Sequence, residues 1–445
     1  MHLLIPANPS LTMPPNFLDE ILLSQKRGEA RGLPSICSSH PWVLKAALQE
    51  TLKVSRTYRV LLIESTCNQV NQFGGYTGMT PADFIAYVHG LVLENGFPLD
   101  RLVLGGDHLG PGPWQKESAR SAMQKAADML RAYVQAGYTK LHLDASMRLA
   151  DDDPSRPLDV ELSARRSAFL ARVAEETLAK VSEPSQGFQG LRYVIGSEVP
   201  VPGGATFHEE GLHVTEVTDA RRTLELTQAA FADEGLESAW ERVIALVVQP
   251  GVEFGDDFVL DYAPAAARPL SQFAETIPFV YEAHSTDYQT GLALRSLVRD
   301  HFAILKVGPA LTYAFREAVF ALAGMENELL PSQSSRLVET LEATMLRNPA
   351  DWRAHYHGTP QEQAFARKYS LSDRSRYYWG DPQVQSSLAS LLQNLGEKPL
   401  PRTLLSQFLP LQLERILSGQ IGNSPQALIL DKINSVLVSY ISACG

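Results

Sequence analysis

Eight short apolar runs, each ending in polar residues and each separated from the next by a stretch with helical spacing, dominate the chain between residues 31 and 328. They cover 35–39, 59–66, 101–103, 140–144, 191–198, 242–249, 278–284 and 301–308. The sixth is apolar almost throughout, as a strand buried on both faces requires. Strands that alternate with helices predict a parallel sheet, because each parallel connection needs a crossover. Eight such units over roughly 300 residues predict a closed (β/α)8 barrel, with an open doubly wound sheet as the alternative. Residues 1–30 read as a proline-rich arm and a first helix, 31–328 as the barrel, and 329–445 as a helical extension without strands.

Charge and hydropathy exclude several classes of protein. No apolar run approaches the roughly 20 residues that span a bilayer. The start, Met1-His2-Leu3-Leu4-Ile5-Pro6, has neither the basic segment nor the apolar core of a secretory signal, so a cytoplasmic protein is expected. A net charge of -11 opposes general binding to nucleic acid or membranes, both of which need a basic surface. Cys37, Cys67 and Cys444 are scattered, with no CxxC spacing, and are expected as reduced thiols. Neither a GxGxxG fingerprint nor a GxxxxGK[ST] loop is present, so no nucleotide cofactor is expected.

Barrel active sites gather where the strands' C-terminal ends meet the following loops. Polar residues cluster at those ends: His40, Glu64, Asp107 with His108, Asp144, Glu198, Gln249, His284 and Lys306. The stretch 104–111 reads as an apolar strand running into a glycine-flanked turn that carries Asp107 and His108. Alternation along 140–144 puts His142 and Asp144 on one face. Imidazole, carboxylate and amide oxygen suit a divalent cation with an open position. The expected ligands are His108, Glu198 and His284, with Gln249 coordinating or orienting them. Asp107 is expected to move a proton beside the metal, and Asp144 to hold a ligand or a second water. Zn²⁺ comes first, with Mn²⁺, Co²⁺ or Mg²⁺ as alternatives. Such a centre polarises a carbonyl and stabilises an enediolate. Lys306 keeps open the covalent alternative, a Schiff base with a ketose. The loop 68–78 offers amides, Asn68 and Gln72 among them, and glycines that let a ligand approach the backbone. Arg374 and Arg376, among the aromatics of 369–379, read either as packing or as a phosphate-binding or partner-binding element.

Segments 38–41, 68–80, 105–111, 142–146, 198–204, 249–254, 282–290, 305–312 and 369–379 closely resemble the GatZ/KbaZ-like family of tagatose-bisphosphate aldolase subunits. The resemblance implies a non-catalytic subunit of a class II D-tagatose 1,6-bisphosphate aldolase, needed for the activity and stability of a separate catalytic subunit. Some relatives are instead epimerases joining D-tagatose 6-phosphate to D-fructose 6-phosphate. The barrel is also similar to that of class II aldolases. That similarity implies acid/base work for Asp107 and zinc ligation by His108, Glu198 and His284. Gln249 stands where a His is expected.

The C4 hydrogen of a 2-ketohexose is not adjacent to the carbonyl, so simple deprotonation cannot invert C4. Retro-aldol cleavage of C3–C4, rotation of the aldehyde and re-addition can. Asp107, or Glu64 across the mouth, would move the C4 hydroxyl proton. The expected function is therefore a metal-dependent hexulose 6-phosphate 4-epimerase, with the accessory aldolase subunit as the alternative and a catalytic aldolase third. Phosphate is expected on Ser285, Thr286, Gly308 and Thr312, or on Arg374 or Arg376. His40, Asn68, Gln72 and Lys306 are the other substrate contacts. A phosphorylated ketohexose, a class II aldolase catalytic subunit and a further copy of the same chain are the expected partners.

Overall fold

The expected strands all form, and they close on themselves. In the computed structural model, which describes residues 16–53, 60–181, 190–196 and 213–445, the barrel strands are β1 (Leu33–Ile36), β2 (Leu61–Thr66), β3 (Leu102–Leu109), β4 (Lys140–Leu143), β5 (Arg192–Ile195), β6 (Val243–Val247), β7 (Val280–Ala283) and β8 (Phe302–Val307). Each pairs in parallel with its neighbour in the chain, and β8 pairs with β1 through Ser35 opposite Lys306. That last pairing excludes the doubly wound sheet, whose first and last strands do not meet.

Side chains alternate between two cores. Leu61, Ile63, Leu141, Leu143, Tyr281 and Leu305 point outward into the layer shared with the surrounding helices. Leu62, Val103, Val194, Ile244, Val280 and Ile304 point inward. The helix Phe17–Lys26 plugs the inner layer at its lower end with Leu18 and Ile21. Arg192 grips Asp19 with two bonds of 2.6 and 2.5 Å, and Lys26 donates to the carbonyls of Ala274 and Phe279 at 2.8 and 2.6 Å. Continuing the inward alternation, the next positions are Glu64 on β2, Lys140 on β4, Glu282 on β7 and Lys306 on β8. The barrel is thus apolar at its base and charged above it.

The third strand differs from expectation. It does not end at Val103 but runs through the presumed turn to Leu109. Its register against β4 shifts between Gly106 and Leu109, and His108 adopts a left-handed φ of 51°. This is a β-bulge, which breaks the alternation that would send adjacent side chains to opposite faces. Asp107 and His108 therefore face the same cavity. Two glycines make room. Gly105 pairs with Glu64 on one side and Lys140 on the other, and a Cβ there would lie 2.8 Å from the Glu64 Cγ. A Cβ on Gly110 would lie 1.6 Å from the Asp144 carbonyl oxygen.

The C-terminal region folds back onto the barrel. Leu337–Arg347, Pro360–Tyr369, Pro382–Gly396 and Pro425–Ala443 are its longer helices, as a helical extension implies. Arg402–Phe408 and Pro410–Leu417 are additional, as is a hairpin of Glu253–Phe254 with Val259–Leu260. These elements are too short to carry a readable period. The last helix packs on Pro41–Lys53, Gly291–Arg299 and Pro309–Leu329, and its Tyr440 hydroxyl donates to the Thr286 carbonyl at 2.6 Å. Cys37, Cys67 and Cys444 are free thiols. Among the described residues no helix is long and apolar enough to cross a membrane.

The tight exit of β3 gives a stability test. Gly110→Ala should destabilise the fold by about 3 kcal/mol or more, since backbone rather than a flexible side chain must yield. Gly112→Ala, where nothing lies within 4 Å of the new methyl, is the matched control. Thermal midpoints compare the two, and an unchanged midpoint in Gly110→Ala would contradict the packing of β3 on Asp144.

Candidate functional site

Above the apolar plug lies a layer of buried charge. Because Glu64 and Lys140 flank Gly105 across neighbouring strands, their side chains meet over it, with Nζ 2.7 Å from Oε1. Lys140 also reaches Glu282 at 2.6 Å. The Lys306 ammonium is surrounded by Asp107 at 2.7 Å, Glu64 at 2.9 Å and Glu282 at 3.5 Å. Ser35 completes the layer by donating to Glu64 at 2.7 Å. Burial alone would lower the Lys306 pKa, but Asp107, Glu282 and Glu64 hold it well above the usual range. An ammonium engaged by three carboxylates is poorly placed to attack a ketose carbonyl, which weighs against the Schiff-base alternative.

Three imidazoles stand on this layer. The rings of His108, His142 and His284 lie 4.9 to 5.2 Å apart, centroid to centroid. His142 bonds Asp107 through Nδ1 at 2.9 Å, and its Nε2 is buried without a partner. His284 bonds Glu282 at 3.0 Å, and burial pushes its imidazole down to about 3, so it is neutral. His108 bonds Asp144 through Nδ1 at 2.9 Å. Burial opposes protonation of His108, but Asp107 and Asp144 together raise its pKa. For Asp107 the balance runs the other way. Burial would raise its carboxyl, yet His108, Lys306 and His142 hold it well below the usual carboxylate range.

These residues fit a divalent cation. Asp107, His142, Glu282 and His284 bring ligand atoms within 4.8 Å of one another. Glu64, Asp107, Asp144 and Glu282 set four carboxylates against the two ammonium groups of Lys140 and Lys306, with His108 held toward its protonated form among them. Burying uncompensated charge is expensive, and a cation held among these carboxylates offsets part of that cost. The His142 Nε2 is buried without a partner and His284 is neutral, and ligation needs a neutral imidazole. A His108 bonded to a carboxylate through its far nitrogen is the arrangement that orients metal-binding imidazoles.

The expected set is only partly assembled. Asp107, His108, Asp144, His284 and Lys306 converge on one cavity of about 440 Å³. His40, Asn68, Ser285, Gly308, Arg374 and Arg376 line it as well. Glu64 does not. It is wholly buried below the floor with both oxygens engaged, which rules out the proton transfer across the mouth that its place near the end of β2 suggested. Gln249 is no ligand here either, since its Oε1 accepts from the backbone N–H groups of Gly251 and Val252 at 2.8 and 3.1 Å. Gln72 donates to the Lys125 carbonyl, and Thr286 donates to that of Lys306 at 2.6 Å, so both are spent on structure rather than on a ligand. Glu198 lies outside the described residues. His142 and Glu282 were missed as site residues, although the alternation that pairs His142 with Asp144 was the signal for the first.

The rest of the wall comes from the C-terminal region. His40 packs on Phe315 with centroids 4.3 Å apart, and Arg374 and Arg376 enter from the short turn Arg374–Tyr377.

The chain is similar along nearly its whole length to proteins already known. Residues 18–445 match the family described as D-tagatose-1,6-bisphosphate aldolase subunit GatZ/KbaZ-like. The D-tagatose-1,6-bisphosphate aldolase subunit GatZ of Salmonella paratyphi B is 51% identical over 96% of this chain and 99% of its own. The subunit of the same name from Salmonella typhimurium is likewise 51% identical over 96% of this chain. A crystal structure of a probable tagatose 6 phosphate kinase from Sinorhizobium meliloti superposes with a TM-score of 0.83 at 43% identity, covering 93% of this chain and 100% of that one. A match of this length and identity places the chain in the GatZ/KbaZ-like family of D-tagatose-1,6-bisphosphate aldolase subunits.

Proposed function

We propose that this protein serves as a subunit of a D-tagatose 1,6-bisphosphate aldolase, alongside a class II catalytic chain whose activity and stability it supports. The observation that carries this reading is the full-length similarity to relatives named for that subunit. It takes precedence over the epimerase expected from sequence because relatives 51% identical over 96% of this chain are named for the aldolase subunit.

One observation favours a second reading, in which the protein also acts on a ketose phosphate by itself. A purely supporting subunit has no physical need of a buried set of four carboxylates against two amines, whose desolvation costs several kcal/mol per uncompensated ion. His142 and His284, with Asp107 or Glu282 and with His108, would hold a divalent cation. When bound, the cation supplies electrophilic polarisation of a carbonyl. Zn²⁺ remains the first choice for an imidazole-rich set.

The chain's own residues then have definite parts. Asp107 is an ionised, cavity-facing carboxylate, so it accepts the C4 hydroxyl proton. As that proton leaves, the C3–C4 bond breaks and its electron pair moves to the C2 carbonyl oxygen. Lys306, kept protonated, holds Asp107 in place at 2.7 Å. Asp144 fixes the His108 ring. Once the aldehyde has turned its other face, C3–C4 reforms and Asp107 returns the proton. The product is the C4 epimer, with no net redox change.

Two experiments test these readings. Added to a class II tagatose-bisphosphate aldolase chain, the protein should raise cleavage of tagatose 1,6-bisphosphate while releasing no triose alone; triose from the isolated protein, or no effect on the catalytic chain, counts against the subunit reading. Asp107→Asn should retain that support while lowering any conversion of tagatose 6-phosphate to fructose 6-phosphate by at least about 10²-fold.

For the centre itself, elemental analysis of purified protein should find close to one divalent cation per chain. His142→Ala and His284→Ala should each weaken its retention by at least about tenfold. A chelator should also lower the thermal midpoint of the parent protein, because a ligand held only by the folded state stabilises it. Equal metal content in all three proteins would refute the assignment.

A further inference from the structure

We infer that the segment 370–377 carries a phosphate-binding site, in which Arg374 and Arg376 hold the phosphate of a ketose phosphate lying in the cavity. The inference rests on the reading that the cavity accepts such a sugar, and it adds where the anionic end goes.

The place where a barrel ordinarily binds phosphate is already filled. The helix Pro309–Leu329 begins just after β8, and its first N–H groups would form the usual cradle. Here the Asp287 carboxylate occupies it, accepting from Gly308 N at 3.0 Å and Ala310 N at 2.8 Å. Two of the three expected hydroxyl donors are committed too. Thr312 donates to Asp373 at 2.6 Å and Thr286 to the Lys306 carbonyl. A phosphate placed there would meet a resident carboxylate and few free donors.

The neighbouring wall has the reverse character. Arg374 is only 5% exposed, and Arg376 is half-buried beside it. Both line the cavity, and neither forms an ion pair with a carboxylate among the described residues. Arg374 donates to His355 Nδ1 at 2.9 Å, while its Nε is buried with no partner. Arg376 donates to the Tyr377 hydroxyl and to the carbonyls of Ser372 and Asp373. Asp287, Asp351 and Asp373 act on these guanidinium groups only from beyond ion-pair distance, so the pair can take a dianion directly, and their planar forks match phosphate oxygens.

The segment is also held rigidly. Asp256 accepts from Ser370 Oγ at 2.7 Å and Ser372 Oγ at 3.1 Å, and its carbonyl accepts from Leu371 N at 2.8 Å. Asp373 is fixed by Thr312 and lies 3.5 Å from Arg316. The arginines are therefore preorganised, which lowers the entropy lost on binding. The cavity presents excess negative charge at its floor and cationic groups at this wall. A sugar with hydroxyls at one end and a phosphate monoester at the other complements that polarity.

Calorimetric titration of the full-length protein with D-tagatose 6-phosphate, D-tagatose and inorganic phosphate tests the site. The parent protein should bind tagatose 6-phosphate at least about tenfold more tightly than tagatose. Arg374→Gln and Arg376→Gln should each erase that preference, and Arg374→Lys, which keeps the charge but not the fork, should fall between. Because Arg376 also bonds backbone carbonyls, Arg374→Gln, with side-chain partners only, is the variant to trust if Arg376→Gln does not fold. Undiminished preference for the phosphorylated sugar in Arg374→Gln overturns the phosphate site and leaves the ketose-phosphate reading intact. Arginine-dependent binding of inorganic phosphate without binding of either sugar upholds the site and overturns that reading. Binding of neither phosphate overturns both.

Discussion

Lys140 and Lys306 cannot sit inside a barrel unless carboxylates meet them there, and much of the site follows from that requirement. An isolated ion in such an interior is costly, and loss of one member of a buried pair typically costs about 3–5 kcal/mol. Lys140, fully buried, is met by Glu64 and Glu282. Lys306 is met by those two and by Asp107. His108 beside it and Lys306 from the structural layer below hold the cavity-facing Asp107 ionised although it is almost wholly buried. The floor of the cavity is therefore an electrostatic consequence of the layer beneath, not a separate device.

The backbone had to bend to bring the site residues onto that floor. In a regular strand Asp107 and His108 would point to opposite sides. The bulge in β3, with His108 in the left-handed region, turns both toward the cavity. A β-branched or bulky side chain would resist that conformation. The absence of side chains at Gly105 and Gly110 lets Glu64 approach Lys140 and lets β3 pass against Asp144. Local strain at His108 is sustained because its Nδ1 bond to Asp144 fixes the ring.

How much of this could be read from sequence depended on range. Strand positions and barrel closure were legible because period-two and helical patterns are local. The convergence of Asp107, His108, Asp144, His284 and Lys306 was legible because barrel geometry collects strand ends. Glu64 was misplaced because depth within a barrel depends on stagger between strands: it lies level with Lys140, the first residue of its own strand. Gln249 failed as a ligand for a local reason, the turn at Pro250-Gly251, whose N–H groups claim its side chain. His142 has the signal of alternation but stands one inward position short of Asp144, the residue at the strand's end. The bulge left no mark, because Gly-Gly before Asp-His reads equally well as a turn.

Support of a partner and chemistry on a sugar draw on different parts of such a molecule. Stabilising another chain requires surface, which the helices of the barrel and extension supply. Holding a cation and a sugar requires interior, supplied by the strands from below and by the 370–377 segment from the side. That segment is tied to the barrel through Asp256, Tyr288 and Arg316, and the last helix reaches the loop after β7 through Tyr440. The extension is therefore part of the cavity as well as part of the surface. A chain that lost its chemistry and kept only a supporting role would be free to replace the buried charges with apolar residues of similar size, often with a gain in stability. This chain brings four carboxylates, two amines and three imidazoles together, and that cluster is the physical argument for the reading in which its interior also does chemistry.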